Sequence, residues 1–132
     1  MAVGLPHVSH ADTIRAFFRL FDEEDVPSLL ELFADDCSFS MILYDRDLQG
    51  KEELRAFFED HISNWSEHRE WATSIVVEGD AAASELHFEG TLKNGRQVVM
   101  DNLNVWDFEG DKIRRIRVYA DTAPFRDAIE AS

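Results

Sequence analysis

The apolar residues change their spacing part-way along the chain, and that change of period limits the folds open to it. From Asp12 to Phe21, the residues Ile14, Phe17, Phe18 and Phe21 fall at i, i+3, i+4 and i+7, which predicts a helix with one apolar stripe. Ser9 or Asp12 suits its start. A second, short helix is expected around Pro27, capped by Asp25 and burying Leu29, Leu30 and Phe33. Cys37 to Leu43 reads as a first strand, 44–50 as a loop, and a third helix follows from Lys51 with Leu54, Phe57, Phe58, His61, Ile62 and Trp65 on one side. Beyond it the period shortens. Trp71 to Glu78 is rich in β-branched residues, Ala83 to Lys93 alternates, and Asn94-Gly95 is a strong hairpin turn signal. Strands over Arg96 to Phe108 and Lys112 to Tyr119 complete a meander, and a short helix from Thr122 to about Ala131 closes the chain. Helices first and hairpin-linked strands afterwards predict an α+β domain with helices on one face of a curved antiparallel sheet.

Composition narrows the function classes. The 132 residues suit one domain, 1–132, without a metal or disulfide staple. With 13 basic and 27 acidic residues the net charge is −14, which disfavours nucleic acid and anionic membranes as partners. A single cysteine, Cys37, excludes an internal disulfide and a cysteine-based zinc cluster. No apolar run approaches the roughly 20 residues of a membrane span, and the opening MAVGLPHVSH has no signal-peptide pattern, so a cytoplasmic protein is expected.

Several local strings resemble the SnoaL-like and ketosteroid-isomerase-like branch of the nuclear transport factor two-like superfamily. They are Leu32-Phe33-Ala34-Asp35-Asp36, Gln49-Gly50-Lys51-Glu52-Glu53-Leu54, Gly95-Arg96, the run from Val105 to Ile113 (VWDFEGDKI), and Tyr119-Ala120-Asp121. The resemblance spans about residues 9–122. It implies a cone of curved sheet wrapped around the N-terminal helices, an apolar cavity open at one end, and a homodimer through the outer sheet face. The fold hosts isomerases, cyclases, dehydratases, epoxide hydrolases and binding modules, so the polar groups entering the cavity must decide the chemistry.

Along Glu85-Leu86-His87-Phe88-Glu89, alternation alone puts Leu86 and Phe88 in the core and His87 in solvent. The family resemblance implies the reverse, with His87 and Glu89 lining the cavity as proton shuttle and orienting partner. On the next strand Met100, Asn102, Asn104, Trp106 and Phe108 share a face. Two amides among apolar neighbours need hydrogen-bond partners, internal or from a ligand. Asn104 resembles the oxyanion-hole position of ketosteroid isomerases, and Asn102 and Asn104 are the expected oxygen-binding groups. Asp121 resembles the acid/base Asp of SnoaL-type cyclases; the other reading makes it a cap for the C-terminal helix. Phe17, Phe58, Met41, Tyr44 and Trp106 complete the expected substrate-binding set.

Steroid isomerisation itself is not expected, because Met41 and Phe17 stand where that family has its catalytic Asp and Tyr. Asp22 and His68 resemble two scytalone-dehydratase-like positions, although Phe21 replaces a Tyr of that pattern and the charged string Ser66-Glu67-His68-Arg69-Glu70 places His68 at the surface. No ligand spacing supports a metal, and no cofactor is expected. The expectation is therefore a small apolar, oxygenated ligand and cofactor-independent isomerase, cyclase or dehydratase chemistry. A non-catalytic binding or assembly module and an epoxide hydrolase stand as alternatives.

Overall fold

Residues 9–41, 46–121 and 123–130 are described in the computed structural model; the expected ligand residue Tyr44 lies outside them. Helix α1 (His10–Asp22) begins where Ser9 Oγ accepts the Asp12 N–H at 3.1 Å. Its buried stripe is Ile14, Phe17, Phe18 and Phe21, as the period predicts. Helix α2 (Val26–Glu31) carries Pro27 in its first turn and is capped by Asp25, whose Oδ1 accepts the Ser28 N–H at 3.2 Å. Between the two, Glu24 adopts φ 58°, a left-handed conformation that favours glycine.

Strand β1 (Phe33–Met41) and strand β2 (Arg46–Gln49) precede helix α3 (Gly50–Ser63). Four long elements of sheet follow: β3 (Trp65–Glu78), β4 (Ala81–Leu92), β5 (Gln97–Glu109) and β6 (Lys112–Ala120), before helix α4 (Ala123–Glu130). One curved, unclosed sheet holds all six strands in the order β2-β1-β6-β5-β4-β3. Every pairing is antiparallel except β1 with β6, so the sheet is mixed where an all-antiparallel one was expected.

Three boundaries differ from the sequence reading, each because pairing overrode local propensity. β1 starts at Phe33 rather than Cys37, since Phe33 aligns with Ile113 and Leu32 C=O accepts the Ile113 N–H at 2.8 Å. Residues 46–49 form β2 rather than a loop, paired to β1 and held by Ser40 Oγ donating to Asp47 Oδ1 at 2.9 Å. β3 begins at Trp65 rather than Trp71, which takes Trp65 off the third helix.

The core lies between the concave face of the sheet and helices α1 and α3. Phe17 sits at its centre, edge-on to Phe18, Phe33, Phe58 and Trp106 with ring centroids 5.2 to 6.1 Å apart. Trp106 is fully buried and donates its indole N–H to Ser84 Oγ at 2.9 Å, so its polar atom is satisfied inside the protein. Gly90 is required by packing: a Cβ there would stand 2.6 Å from Cε3 of the Trp65 ring. No helix among the described residues is long and apolar enough to cross a membrane.

Candidate functional site

The register of the sheet decides which side chains face the hollow. Phe88 aligns with Glu70 on β3 and Met100 on β5. One step along, Leu86 aligns with Ala72 and Asn102, and Asn102 with Ala120. Asn104 aligns with Val118, which aligns with Met41. These rows, closed over by Phe17, Phe21, Phe57, Phe58 and His61 from the helices and by Phe39 from β1, enclose a cavity of about 430 Å³. Arg46, Asp60 and Asn64 also line it, and the Arg46 guanidinium lies 5.2 Å from the centroid of the Phe57 ring. An apolar wall with a few converging polar groups is the usual build of a small-ligand pocket.

This geometry places Phe17, Phe58, Met41, Asn102 and Asn104 in the cavity wall and corrects other expectations. Leu86 and Phe88 point inward and are buried, so His87 and Glu89 occupy the opposite, outer face. There His87 Nδ1 meets Asp101 Oδ1 at 2.8 Å, its Nε2 lies 3.7 Å from Glu89 Oε2, and its ring packs on Trp71. Simple alternation had the pleat right, and the resemblance-based assignment reversed it. Asp121 is exposed, and its Oδ1 accepts the Ala123 N–H at 3.0 Å at the start of α4, the capping role rather than a cavity role. Trp106 belongs to the packed core behind the wall, not to the lining.

His68 is not a surface residue. Its side chain is only 1% exposed, between Phe21 and Phe88, although its neighbours in the string are charged. A register shift between Trp65 and Glu67 sets the pleat so that His68, Glu70 and Ala72 turn inward. Glu70 was missed by sequence reasoning, which treated the string as solvated; the i, i+2 spacing of His68 and Glu70 was the available signal.

Glu70 is 8% exposed and lines the cavity. Burial, reinforced by the Asp22 charge, pushes its carboxyl well above the ordinary carboxylate range. Its backbone N–H donates to Asp22 Oδ1 at 3.0 Å, and the same oxygen lies 3.7 Å from His68 Nδ1. Burial also raises Asp22, against the opposing effects of that backbone hydrogen bond and of His68 and Arg69. His68 Nε2 lies 3.1 Å from Glu24 Oε1, so the left-handed turn at Glu24 carries a carboxylate onto the far side of the imidazole. One oxygen or nitrogen from each of Asp22, His68 and Glu70 falls within 4.8 Å of the others.

Another histidine, on α3, lines the cavity itself. His61 stacks on Phe57 at 5.9 Å and 15° and packs edge-on to Trp65. Burial first, then the charge of His68, lowers it from 6.5 to about 4, so the imidazole is neutral at neutral pH. At the far end of the cavity the buried Oδ1 atoms of Asn102 and Asn104 have no hydrogen-bond partner among the described residues. Each is an acceptor for a ligand hydroxyl or, with the amide turned over, the place of a donor to a ligand carbonyl.

A family model described as the SnoaL-like domain matches residues 14–116, most of the chain. The chain belongs to the SnoaL-like domain family. Among solved structures, this SnoaL-like domain is similar to a nuclear transport factor two-like protein of unknown function from Burkholderia pseudomallei. That pair is 22% identical over 90% of this chain and 95% of the other, with TM-score 0.81. It is also similar to a putative SnoaL-like polyketide cyclase from Jannaschia, 15% identical over 99% of each chain, with TM-score 0.79. A third structure is SalBIII, an epoxide hydrolase/cyclase-like enzyme in pyran ring formation in the polyether salinomycin. It is 19% identical over 86% of this chain and 92% of its own, with TM-score 0.77. At these identities the likeness is one of fold. No protein of curated function matches the sequence.

Proposed function

We propose that this SnoaL-like domain binds a small, largely apolar, oxygenated molecule in its cavity and transfers a proton to it from Glu70. The observation that carries the reading is a buried carboxyl, its proton held more tightly by burial and the Asp22 charge, in the wall of an otherwise mostly apolar pocket. A neutral carboxylic acid in a dry site donates a proton or a strong hydrogen bond to a carbonyl or hydroxyl oxygen. Asp22 and His68 stand behind it and restore its proton after each turnover, while Asn102 and Asn104 hold a second oxygen of the ligand. His61, neutral and unprotonated at the cavity face, accepts the proton that leaves carbon. Protonation at one oxygen and deprotonation at a neighbouring carbon is the chemistry of dehydration, of enol-type isomerisation and of aldol-type cyclisation.

The choice among those reactions rests on the ligand. The similar cyclase and the similar epoxide hydrolase/cyclase-like enzyme act within the same fold, which supports a polyketide-like or polyether-like oxygenated substrate. A binding module without catalysis is the weaker reading, since a carrier has no need of a buried acid, which costs stability above the carboxylate's ordinary range. The outer face, with exposed Trp71, Val99, Leu103 and Tyr119, supports a homodimer of the kind the family resemblance implies.

The test uses a panel of β-hydroxy ketones and enolisable polycyclic ketones, with turnover followed by absorbance and binding by tryptophan fluorescence. Glu70→Gln keeps shape and removes the transferable proton. It is expected to bind a turned-over compound with unchanged affinity and to lower kcat by about 10²–10⁴-fold. His87→Ala, on the outer face, is expected to leave kcat unchanged. Undiminished kcat in Glu70→Gln sinks the reading.

A further inference from the structure

We infer that Asp22, His68 and Glu70 form a binding site for one divalent transition-metal ion of the zinc or cobalt(II) class, open toward the cavity. The inference goes beyond proton transfer and departs from the metal-free expectation drawn from sequence spacing. No short motif joins the three residues; the sheet brings Asp22, at the end of α1, beside β3.

Four observations carry it. The three donor atoms lie within 4.8 Å of one another, with Glu70 and the His68 side chain buried and Asp22 partly exposed at the edge of the cluster. An ion holding such donors at about 2.1 Å separates them by roughly 3–4 Å, so the donors would close by at most about 1–2 Å from the positions seen. His68 Nδ1 is buried and makes no hydrogen bond among the described residues; it faces Asp22 Oδ1 at 3.7 Å, beyond hydrogen-bond reach. Two groups that both offer lone pairs and stand apart across a buried gap call for a cation between them.

The far side of the imidazole supplies the third observation. His68 Nε2 lies 3.1 Å from Glu24 Oε1; in the tautomer that donates its N–H to that carboxylate, the Nδ1 lone pair faces the cluster. A carboxylate behind a histidine, fixing tautomer and ring orientation, is the arrangement that supports metal-bound histidines. Lastly, Glu70 lies in the cavity wall while Asp22 and His68 do not, so the protein's donors sit on one side and the remaining coordination positions face the ligand space.

One nitrogen and two carboxylate oxygens suit Zn²⁺ or Co²⁺ better than Mg²⁺ or Ca²⁺, which prefer oxygen throughout. With three protein ligands, water or a ligand oxygen completes the shell. Metal ligands bind in their deprotonated forms, so metal uptake is favoured by rising pH.

The experiment titrates the chelator-treated full chain with Zn²⁺ by calorimetry and with Co²⁺ by its visible d–d absorption, with Mg²⁺ in parallel. The expected result is saturation at one ion per chain, tetrahedral or five-coordinate cobalt bands, and no uptake of Mg²⁺. His68→Ala and Glu70→Gln are expected to abolish the cobalt bands, and Glu24→Gln to weaken affinity about tenfold. His87→Ala, which alters the separate His87–Asp101–Glu89 cluster on the outer face, is expected to change nothing. Should His68→Ala fail to fold, Glu70→Gln and Glu24→Gln still decide, because both are nearly isosteric. Absence of saturable uptake overturns the inference, as does uptake lost only in His87→Ala. Either result leaves the proton-transfer reading standing, since that reading is judged by the turnover of Glu70→Gln and not by metal uptake.

Discussion

His61 and Glu70 are both driven toward their neutral forms by burial, and they make the stability of the protein depend on pH in opposite senses. A histidine lowered from 6.5 to about 4 contributes stability that is complete above 6.5 and lost as pH falls toward 4. At 1.36 kcal/mol per pH unit the loss is roughly 3 kcal/mol. His61→Phe, which keeps an aromatic ring against Phe57, is therefore expected to remove most of the fall in stability between those pH values, as read by urea unfolding at several pH values. Glu70 works the other way. Its folded pKa lies above the 4.5 of the unfolded chain, so its contribution is complete below 4.5 and declines as pH rises through the folded value. Glu70→Gln is expected to be more stable than the parent at neutral pH, by a margin that vanishes near pH 4. A parent and variant with parallel pH profiles would show that burial does not raise the carboxyl in the folded protein.

At the scale of elements, β3 controls the site, because its register turns His68 and Glu70 inward together. The strand is held against β4 at a point where Gly90 leaves room for the Trp65 ring. Gly90→Ala puts a Cβ 2.6 Å from that ring and is expected to cost about 1–3 kcal/mol, with a change in tryptophan fluorescence as Trp65 moves. Since Trp65 packs on His61, the same substitution is expected to weaken ligand binding as well. A stable Gly90→Ala protein with unaltered fluorescence would mean that the ring has slack the packing does not show. The elements themselves were largely legible in the sequence: the stripe of α1, the Asp25 cap and the Asn94-Gly95 turn each carry a local physical signal. The start of β1, the short β2 and the first residues of β3 carried none, because pairing with a distant strand, not local preference, made them extended.

For the whole molecule, the outer face of the sheet is the counterpart of the cavity. Trp71, Val99, Leu103 and Tyr119 are exposed there among Arg69, Glu89, Asp101 and Arg117. Arg117 pairs with Asp107 at 3.8 Å, and Arg114 with Asp36 and Glu109 at 3.4 and 3.5 Å, so cross-strand ion pairs hold these basic side chains on the face. A dimer through this face is expected to show twice the monomer mass in light scattering, and Leu103→Lys to return it to monomer without loss of the cavity. A monomeric parent protein would sink the dimer proposal.

Local chemistry in the sequence determined the family, the α+β order, the inward face of β5 with Asn102 and Asn104, and the aromatic stripe of α1. Those features depend on residue period, caps and turn residues, which act over a few positions. Only the tertiary structure decided that His87 and Glu89 look outward, that Asp121 caps a helix, and that Asp22, His68 and Glu70 meet. Facing is a property of a strand's partners: the register shift at the start of β3 sets the pleat from Glu67 to Ala72, where a second shift intervenes. Burial of a charged string depends on what packs over it, and Phe21, on a helix nearly fifty residues away, is what closes over His68.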